Sequence, residues 1–322
     1  MHQRILFAAA AFAVATATHA QTKWDMPTPY VDSEFHTQNI RMLADEIKKA
    51  SNGQLEIVVH SGQSLIKHPD ILRAVSSGQV PIGEFLLGQF SNEDPMFEVD
   101  NIPFVAVGYP QALKFYEQHR PYLEKRLQGR GLRLLYSIAW PGQGVYTKTP
   151  LKSVEDLKGT KFRTYSAATA RLAELLGASP TVIQATDIPQ AFATNTVHVM
   201  ITSSATGVAF KAWEYTKNYY NTAAMHPRNV VVVNERAFQR LPEGTRKAIT
   251  DLSAVAEKRG WKTSEEREAL GNKNLAENGM SVIEPDASMK AAFTKIGETM
   301  LAEWVKKAGP DGEALIKAYR AK

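Results

Sequence analysis

The sequence predicts an α/β fold built from two units, each with a sheet covered by helices. The first observation is an alternation of short apolar strands with amphipathic helices, which is typical of mainly parallel sheets. The second is the length of 322 residues, 44% of them hydrophobic, which supplies material for two cores. The third is that the alternation restarts after Gly131, so the two units follow each other along the chain.

The first series of elements is read from hydrophobic periodicity and turn residues. Asn52-Gly53 and Gly78 mark turns, and Ile40, Leu43 and Ile47 recur at the spacing of a helix face. The predicted order is strand, helix, strand, helix, strand, over residues 23–26, 33–50, 55–60, 69–77 and 80–86.

The second series begins with an apolar strand over residues 132–139, which ends at Trp140-Pro141-Gly142, a natural crossing point between the units. A strand over 197–202 belongs to the same series. The segment from Glu243 to about Asn278 is rich in helix formers, so it predicts one long or jointed helix. We find no low-complexity linker, so short crossings must join the units.

The first twenty residues have the pattern of a secretory signal peptide. Arg4 precedes an apolar run that is shorter than the roughly 20 residues of a membrane-spanning helix, and Thr18-His19-Ala20 fits a cleavage site. We therefore expect an exported protein that begins at Gln21. The chain has no cysteine, so its stability must come from burial and not from disulfides.

Charge and motifs disfavour several classes of function. The formal charge of +5 becomes +4 without Arg4, and no run of Lys and Arg predicts a nucleic-acid surface. The histidines lack the spacing of a helical zinc site, and there is no Gly-x-Ser-x-Gly elbow, phosphate-binding glycine loop or cysteine nucleophile. We expect no metal, no cofactor and no catalysis, and turnover of a bound acid would revive the alternative of an enzyme.

Arg163 is the strongest candidate for a ligand contact. The alternation of residues 161–165 predicts a strand that places Arg163 and Tyr165 on one face, and Ser166 offers an N-cap for a helix that stops at Gly177. A guanidinium beside the open N–H groups of a helix start would attract an anion. This arrangement predicts a receptor for a carboxylate.

Several segments resemble a known family of binding proteins. Residues 151–163 and 176–180 carry the most specific match, and residues 51–57, 74–80, 102–104 and 215–219 support it in the same order. On these segments the chain resembles the extracytoplasmic solute-binding proteins of tripartite ATP-independent periplasmic (TRAP) transporters, the DctP-like family. The resemblance covers essentially all of residues 21–322.

The resemblance implies two α/β lobes, each a mixed sheet flanked by helices, with a long helix shared between them and a ligand cleft in the middle. The implied bounds are 21–141 plus about 229–268 for the first lobe, and 142–228 plus about 269–322 for the second. Proteins of this family bind an organic acid, close over it and deliver it to the small and large subunits of an ion-driven permease. We expect the same here, from a monomer.

The resemblance also implies roles for particular residues. Arg163 corresponds to the arginine that holds the ligand carboxylate, and Gln143 stands where a second arginine often occurs. A polar position after the third strand falls near Phe85-Leu86. The asparagine of the family's usual Asp-Gly-Gln-Glu-Asn motif falls near Thr202. The aromatic position that precedes the second helix of the second lobe in the family is Ala185 here.

These departures suggest a cleft that is short of donors for a polyol, because a buried hydroxyl left unpaired costs about 1–3 kcal/mol. Apolar and aromatic candidates for the cleft are Phe85, Leu86, Trp140, Tyr165, Met200, Trp24, Tyr30 and Trp213, although such residues usually pack in a core. Lys67 and His68 lie in a loop that could line the opening.

The expected ligand is a small monocarboxylate with an apolar or aromatic body, and a 2-oxo or 2-hydroxy group on it could bind Gln143. A sugar acid is the alternative ligand within the same family. The alternative outside this family is a binding protein of an ATP-driven importer, since that class has the same two-lobe architecture.

Overall fold

A computed structural model of the protein describes residues 21–321, and it confirms an α/β fold with helices around several sheets. The predicted signal peptide lies outside the described residues. The strands are β1 (Thr22–Pro27), β2 (Leu55–His60), β3 (Ile82–Leu86), β4 (Leu132–Ala139), β5 (Gln143–Thr147), β6 (Lys161–Thr164), β7 (Ser179–Val182), β8 (Val199–Ser203), β9 (Asn218–Tyr220), β10 (Arg228–Asn234) and β11 (Ser281–Ile283).

The helices that flank these strands match the periodic segments of the sequence closely. Helix α1 begins two residues later than expected, whereas β2 and β4 have the predicted bounds. The helices are α1 (Phe35–Ala50), α2 (Ile71–Ser77), α3 (Tyr109–Gln128), α4 (Ala167–Leu175), α5 (Ile188–Ala193), α6 (Ser204–Ala209), α7 (Glu235–Gln239), α8 (Glu243–Glu277) and α9 (Ala287–Arg320).

The first group of strands, which we call the first lobe, is only partly parallel. β1 and β2 pair in parallel, and β1 packs beside β3. In the adjoining three-stranded sheet, β10 lies between β3 and β4 and runs antiparallel to both. Both faces of this sheet are covered, so Val230 and Val232 enter one apolar cluster while Val231 and Val233 enter another. This explains why β10 is a continuous apolar run.

The second group of strands, which we call the second lobe, forms one mixed sheet in the order β11-β9-β5-β8-β6-β7. β6 is parallel to β7 and β8, as the strand–helix alternation predicts, but β5 is antiparallel to β8 and β9. The expectation of mainly parallel sheets is therefore wrong for β5 and β10. These strands cross between the lobes without an intervening helix, so no βαβ unit constrains their direction.

The two segments that cross between the lobes, residues 140–142 and 221–227, lie side by side. The backbone N–H of Trp140 donates to Pro227 O at 2.8 Å, and that of Gln143 donates to Met225 O at 3.0 Å. A short two-stranded connection of this kind can bend without breaking a core, which suits a hinge between lobes.

Helix α8 is the third connection and is a single helix of 35 residues. It packs on α1 and β4 in the first lobe and on α6 in the second. Two of its glycines, Gly260 and Gly271, are sites of close approach. A Cβ atom at Gly260 would lie 2.1 Å from Ile138, and one at Gly271 would lie 2.5 Å from Ser204. The glycines thus allow the helix to contact both lobes.

Helix α9 also contacts elements on both sides. Trp304 donates its indole N–H to Pro95 O at 2.6 Å, while Glu303 forms an ion pair with Arg171 of α4 at 2.8 Å. Its backbone departs from helical geometry at Gly309. The assignment of residues 269–322 to the second lobe, like the other lobe bounds, stays a prediction. Among residues 21–321, no helix combines the length and apolar character needed to cross a membrane.

Candidate functional site

A small cavity lies between the lobes beside the crossing segments. The space between its walls is about 420 Å³, including the part that opens to solvent. Its lining comes from both lobes and from the crossings: Tyr30, His68, Leu86, Gln89, Trp140, Gln143, Arg163, Tyr165, Gln184, Ala185, Thr202, Ser203, Thr206 and Pro227. It therefore brings residues that are distant in sequence around one space.

Arg163 projects from β6 into this cavity and is 2% exposed. Its Nε donates to Ile183 O at 3.0 Å and its Nη1 donates to Ile201 O at 3.2 Å, so β8 and the residue that follows β7 orient the guanidinium. Tyr165 places its ring 5.2 Å from the guanidinium carbon. Among the described residues, no carboxylate pairs with Arg163, and burial lowers its pKa to about 10. The guanidinium remains charged at neutral pH, and its charge has no counter-ion among residues 21–321.

The start of helix α4 does not line the cavity. Ser166 caps this helix by accepting from the backbone N–H of Thr169 at 3.2 Å, and the Thr169 hydroxyl accepts from the backbone N–H of Ser166 at 3.0 Å. This reciprocal cap satisfies two of the backbone donors at the helix start. The N-cap at Ser166 is confirmed, but the expected pairing of Arg163 with open N–H groups at this helix start is not observed.

Gln143 and Tyr165 form one polar edge of the cavity. The Tyr165 hydroxyl donates to Gln143 Oε1 at 3.2 Å, and Gln143 Nε2 donates to Pro141 O at 2.8 Å. These two bonds fix which end of the amide is oxygen. Each amide end keeps further hydrogen-bonding capacity, so Gln143 can still offer a donor and an acceptor to a ligand.

Trp140 and Tyr30 form the aromatic wall. Their rings meet edge to face with centroids 4.9 Å apart, and both donate to Asn229 Oδ1, Trp140 at 2.8 Å and Tyr30 at 3.1 Å. The amide nitrogen of Asn229 in turn donates to Glu84 at 2.9 Å. The wall is thus held from behind by polar contacts, which leaves its apolar faces toward the cavity.

His68 contributes from the loop before α2. Its Nε2 lies 3.1 Å from the backbone nitrogen of Leu86, and its Nδ1 lies 2.9 Å from Gln184 Oε1 in the second lobe. Burial lowers the pKa of His68 to about 4, so the ring is neutral at neutral pH. Arg163 is consequently the one charged residue among those that line the cavity.

Hydrogen bonds join the lobes across the cavity mouth. Besides the contact of His68 with Gln184, Gln63 Nε2 donates to the Thr186 hydroxyl at 2.8 Å, and Gln184 Nε2 approaches Gln89 Oε1 at 3.5 Å. All three contacts connect residues of the first lobe with residues that follow β7. They describe a closed arrangement, which separation of the lobes would break.

Most of the residues singled out from the sequence meet at this cavity. Those that line it are Leu86, His68, Trp140, Gln143, Arg163, Tyr165, Ala185 and Thr202. Of the aromatic residues weighed beside them, Tyr30 lines it as well, whereas Trp24 and Trp213 lie against other surface grooves. Contact of the cavity-lining residues with a ligand stays a prediction.

Three of the singled-out residues lie elsewhere. Phe85 points to the opposite face of β3 from Leu86 and packs on Phe90 with ring centroids 4.9 Å apart. Met200 is fully buried in the core of the second lobe, and Lys67 is exposed in its loop. Phe85 is displaced by the alternation of a strand whose two faces are both buried, so the sequence pattern does not show which face meets the cleft.

Sequence reasoning missed other lining residues. Gln184 and Ser203 directly adjoin Ala185 and Thr202, so the family motif leads to within one residue of each. The remaining three, Gln89, Thr206 and Pro227, have no local signal, because only the packing of the lobes brings them to the cavity.

The chemistry available at the cavity is binding. Within the described residues there is no group of three or more His, Asp or Glu side chains placed to hold a metal ion. One fixed cation, several amide and hydroxyl groups and an aromatic wall form a receptor for a small anion with an apolar face.

Comparison with known proteins gives the same picture. The family model for bacterial extracellular solute-binding proteins, family 7 (DctP), matches residues 31–308. The structure resembles that of DctP6, an extracytoplasmic solute receptor of Bordetella pertussis that binds pyroglutamic acid. The two chains are 44% identical with a TM-score of 0.92, and the match covers 94% of this chain and 100% of that one.

Two further relatives extend the comparison. A TRAP solute-binding protein from a marine metagenome, specific for pyroglutamate, is 35% identical with a TM-score of 0.91, over 94% of this chain and 99% of that one. The sialic acid-binding periplasmic protein SiaP of Vibrio cholerae is 23% identical over 289 residues, which are 88% of this chain and 89% of that protein.

These matches confirm the family that the sequence motifs indicate and the two-lobe fold that the family implies. They also decide between the classes left open above, because the family consists of periplasmic solute-binding proteins that work with TRAP permeases and are not enzymes. The chain belongs to family 7 of the bacterial extracellular solute-binding proteins, the solute-binding proteins of TRAP transporters.

Proposed function

We propose that this protein captures a small cyclic monocarboxylate of the pyroglutamate type in the periplasm and delivers it to a TRAP permease. The observation that carries the proposal is the buried guanidinium of Arg163, which has two carbonyl partners and no carboxylate partner among the described residues. A ligand carboxylate would supply the missing counter-ion and accept the remaining N–H groups.

The charges of the lining residues support a ligand with one negative charge. A second carboxylate would have no second cation to pair with, because His68 is neutral and the other lining residues carry no charge. The ammonium group of a free amino acid would lack an anionic partner and would lie near Arg163. Burying an unpaired charge is strongly unfavourable, so an acid with a neutral nitrogen fits better than a zwitterion.

The size and walls of the cavity support a compact ligand. The room for a ligand is small, because the space open to the centre of a water-sized sphere is about 40 Å³. Trp140, Tyr30, Leu86 and Pro227 offer apolar surface to a ring. Relatives at 44% and 35% identity bind pyroglutamate, a five-membered lactam with one carboxylate. The earlier expectation of a small monocarboxylate thus narrows to this type.

Sugar acids remain the second candidate, because SiaP, at 23% identity, is a sialic acid-binding protein. A polyol requires a partner for each buried hydroxyl, and one left unpaired costs about 1–3 kcal/mol. Gln143 already uses part of its amide for Tyr165 and Pro141. The cavity is better supplied for a ring with few hydroxyls.

Delivery follows from the two-lobe arrangement. A ligand that contacts both lobes stabilises the closed form, and it shifts a hinge equilibrium without any covalent step. Export by the signal peptide predicted over residues 1–20 and partnership with a small and a large membrane subunit complete the proposal. The genes of those subunits beside this one would support it, whereas a neighbouring gene for a transport ATPase would count against it.

The direct test is a thermal-shift and calorimetric screen of the protein beginning at Gln21. L-pyroglutamate should stabilise it by about 2.7 kcal/mol at 100 times its dissociation constant. L-proline is the matched control, since it has the same ring size and carboxylate but carries an ammonium group, and it should not bind measurably. Stabilisation by glucuronate or sialate alone would contradict the proposal.

A further inference from the structure

We propose that Gln184, held in place by His68, is a specificity-determining residue that donates an N–H to a hydrogen-bond acceptor on the ligand. This inference rests on the proposed function, because it concerns the same cavity. It extends that function by stating which chemical group, besides the carboxylate, the site recognises.

The argument begins with the backbone N–H of Leu86, which points at His68 Nε2 at 3.1 Å. A backbone N–H can only donate, so Nε2 must be the ring nitrogen without a hydrogen. In a neutral imidazole the hydrogen then resides on Nδ1. The tautomer of His68 is therefore fixed by its own backbone contact.

The tautomer fixes the orientation of the Gln184 amide. Nδ1–H of His68 faces the amide at 2.9 Å and needs an acceptor, which only the oxygen Oε1 can provide. The structure shows Oε1 in that position. The NH₂ group of Gln184 must then be turned away from His68. With its oxygen engaged, this side chain acts on a ligand as a donor.

The NH₂ group is incompletely used by the protein. Its contact within the described residues is Gln89 Oε1, at the long distance of 3.5 Å. An amide nitrogen carries two hydrogens, so donor capacity remains at the edge of the cavity that Gln184 lines. A ligand group that only donates hydrogen bonds would not be satisfied there.

The position of Gln184 relates this donor to the carboxylate site. The carbonyl oxygen of Ile183, the preceding residue, accepts a hydrogen bond from Arg163 Nε at 3.0 Å. The guanidinium contact and the amide thus come from consecutive residues immediately after β7. A short molecule that carries both a carboxylate and a carbonyl oxygen can reach the two groups together. Lactams and 2-oxo acids have this character, whereas a plain cycloalkane carboxylate lacks the second group.

The experiment compares two ligands of the same ring size, L-pyroglutamate and cyclopentanecarboxylate, by calorimetry. In the unmodified protein the ratio of their dissociation constants should be about tenfold or more in favour of pyroglutamate. Gln184→Leu should reduce this ratio by about tenfold, while the dissociation constant of cyclopentanecarboxylate changes by less than about threefold. The matched control is Gln190→Leu on the exposed side of α5, which should leave both constants unchanged.

A second variant tests the role of His68 as a positioning residue. His68→Leu removes the group that holds Gln184 Oε1, so the amide can turn and the ratio should fall by about three- to tenfold. A role that is merely structural would weaken both ligands equally and leave the ratio intact.

An unchanged ratio in Gln184→Leu would overturn the inference while leaving the proposed function in place, since pyroglutamate would still bind. Failure of the unmodified protein to bind either ligand would overturn the proposed function, and the inference with it.

Discussion

Arg163 and Arg228 are both buried guanidinium groups, and their surroundings differ in one respect. Arg228, on β10, donates from its backbone N–H and from Nε to Asp100 Oδ2 at 3.0 and 3.3 Å, and its Nη2 lies 2.6 Å from His119 Nδ1. Arg163, on β6, donates to the carbonyl oxygens of residues 183 and 201. The first has an anionic partner within the protein, and the second has none among the described residues.

The comparison separates a structural cation from a binding cation. Both side chains are no more than 2% exposed, so burial alone does not distinguish them. Beside Arg228, burial and the neighbouring cation hold the pKa of His119 well below its usual range, which keeps the ring an acceptor. Beside Arg163, burial acts on the guanidinium itself. An uncompensated buried charge is unfavourable in the empty protein and favourable once an anion is bound, which is the property a receptor requires.

Removing the charge of Arg228 should lower stability, whereas removing the charge of Arg163 should lower affinity. These are the largest effects that we expect. Arg228→Met leaves Asp100 buried without its partner and should lower the free energy of unfolding by about 3–5 kcal/mol, with binding retained in the folded fraction. Arg163→Met should cost less stability but reduce affinity for L-pyroglutamate by about 100-fold or more, since two charge-assisted bonds are lost. Urea unfolding and calorimetry on both variants measure the two quantities.

The exposed Arg73, whose side chain is 82% accessible and pairs with Asp70, supplies the control. Arg73→Met should change neither quantity appreciably, because an exposed ion pair contributes little. Equal losses of stability in the Arg163 and Arg228 variants would contradict the distinction between them.

Glu34 offers a test with the opposite charge. It precedes α1 in the first lobe and is 2% exposed, and its Oε1 has no hydrogen-bond partner in the described part of the chain. Burial raises its pKa to about 8, assisted by Glu84 and opposed by the Thr206 hydroxyl and by Arg267. The folded state thus holds a proton that the unfolded state releases above about pH 4.5. The contribution of Glu34 to stability is therefore present at low pH and is lost as the pH rises through about 8.

We expect the free energy of unfolding to fall by up to about 4 kcal/mol between pH 5 and pH 8 relative to Glu34→Gln, which has no proton to lose at this position. Urea unfolding of both proteins at a series of pH values measures the difference. Parallel pH profiles would show that Glu34 is not held protonated.

A change of shape without a change of charge should have a smaller effect. Arg163→Lys keeps the cation but loses the planar fork of donors, so affinity for L-pyroglutamate should fall by about tenfold, or more if one charge-assisted bond of about 1.5–3 kcal/mol is lost. Calorimetry measures this, with Arg73→Lys as the control. Unchanged binding would mean that Arg163 acts only as a point charge or does not contact the ligand.

The smallest effect is expected at the mouth of the cavity. Thr186→Val removes the acceptor of Gln63 Nε2, a contact between the lobes at 2.8 Å, without changing the shape of the side chain. Loss of one neutral hydrogen bond, worth about 1 kcal/mol, should weaken ligand binding by about fivefold. Thr194→Val on the exposed end of the same region is the control. No change in affinity would show that this bond also survives in the open form.

The sequence predicts much of this fold because local patterns control local structure. β2 and β4 have the expected bounds, since strong alternation or an apolar run stands between turn residues. The helix beginning at Glu243 is also expected, although its glycines gain their meaning only from the approach to Ile138 and Ser204. The directions of β5 and β10 depend on the crossings between lobes, which no local pattern records.

The candidate site is predictable where chemistry marks it and not where packing decides. Arg163 is marked by its motif, but only the structure shows that no carboxylate among the described residues pairs with it. Phe85 and Leu86 are apolar neighbours on a strand that is buried on both faces. The sequence therefore could not show which of the two side chains faces the cleft. Gln89 and Pro227 reach the cavity through the closure of the lobes.

The central claim is that Arg163 is a buried cation completed by the carboxylate of a small, neutral-bodied ligand. Calorimetric titration of the unmodified protein and of Arg163→Met with L-pyroglutamate at neutral pH tests it most directly. We predict a single binding site in the unmodified protein and an affinity lower by about 100-fold or more in the variant, which remains folded. Equal affinity in the two proteins would contradict the claim.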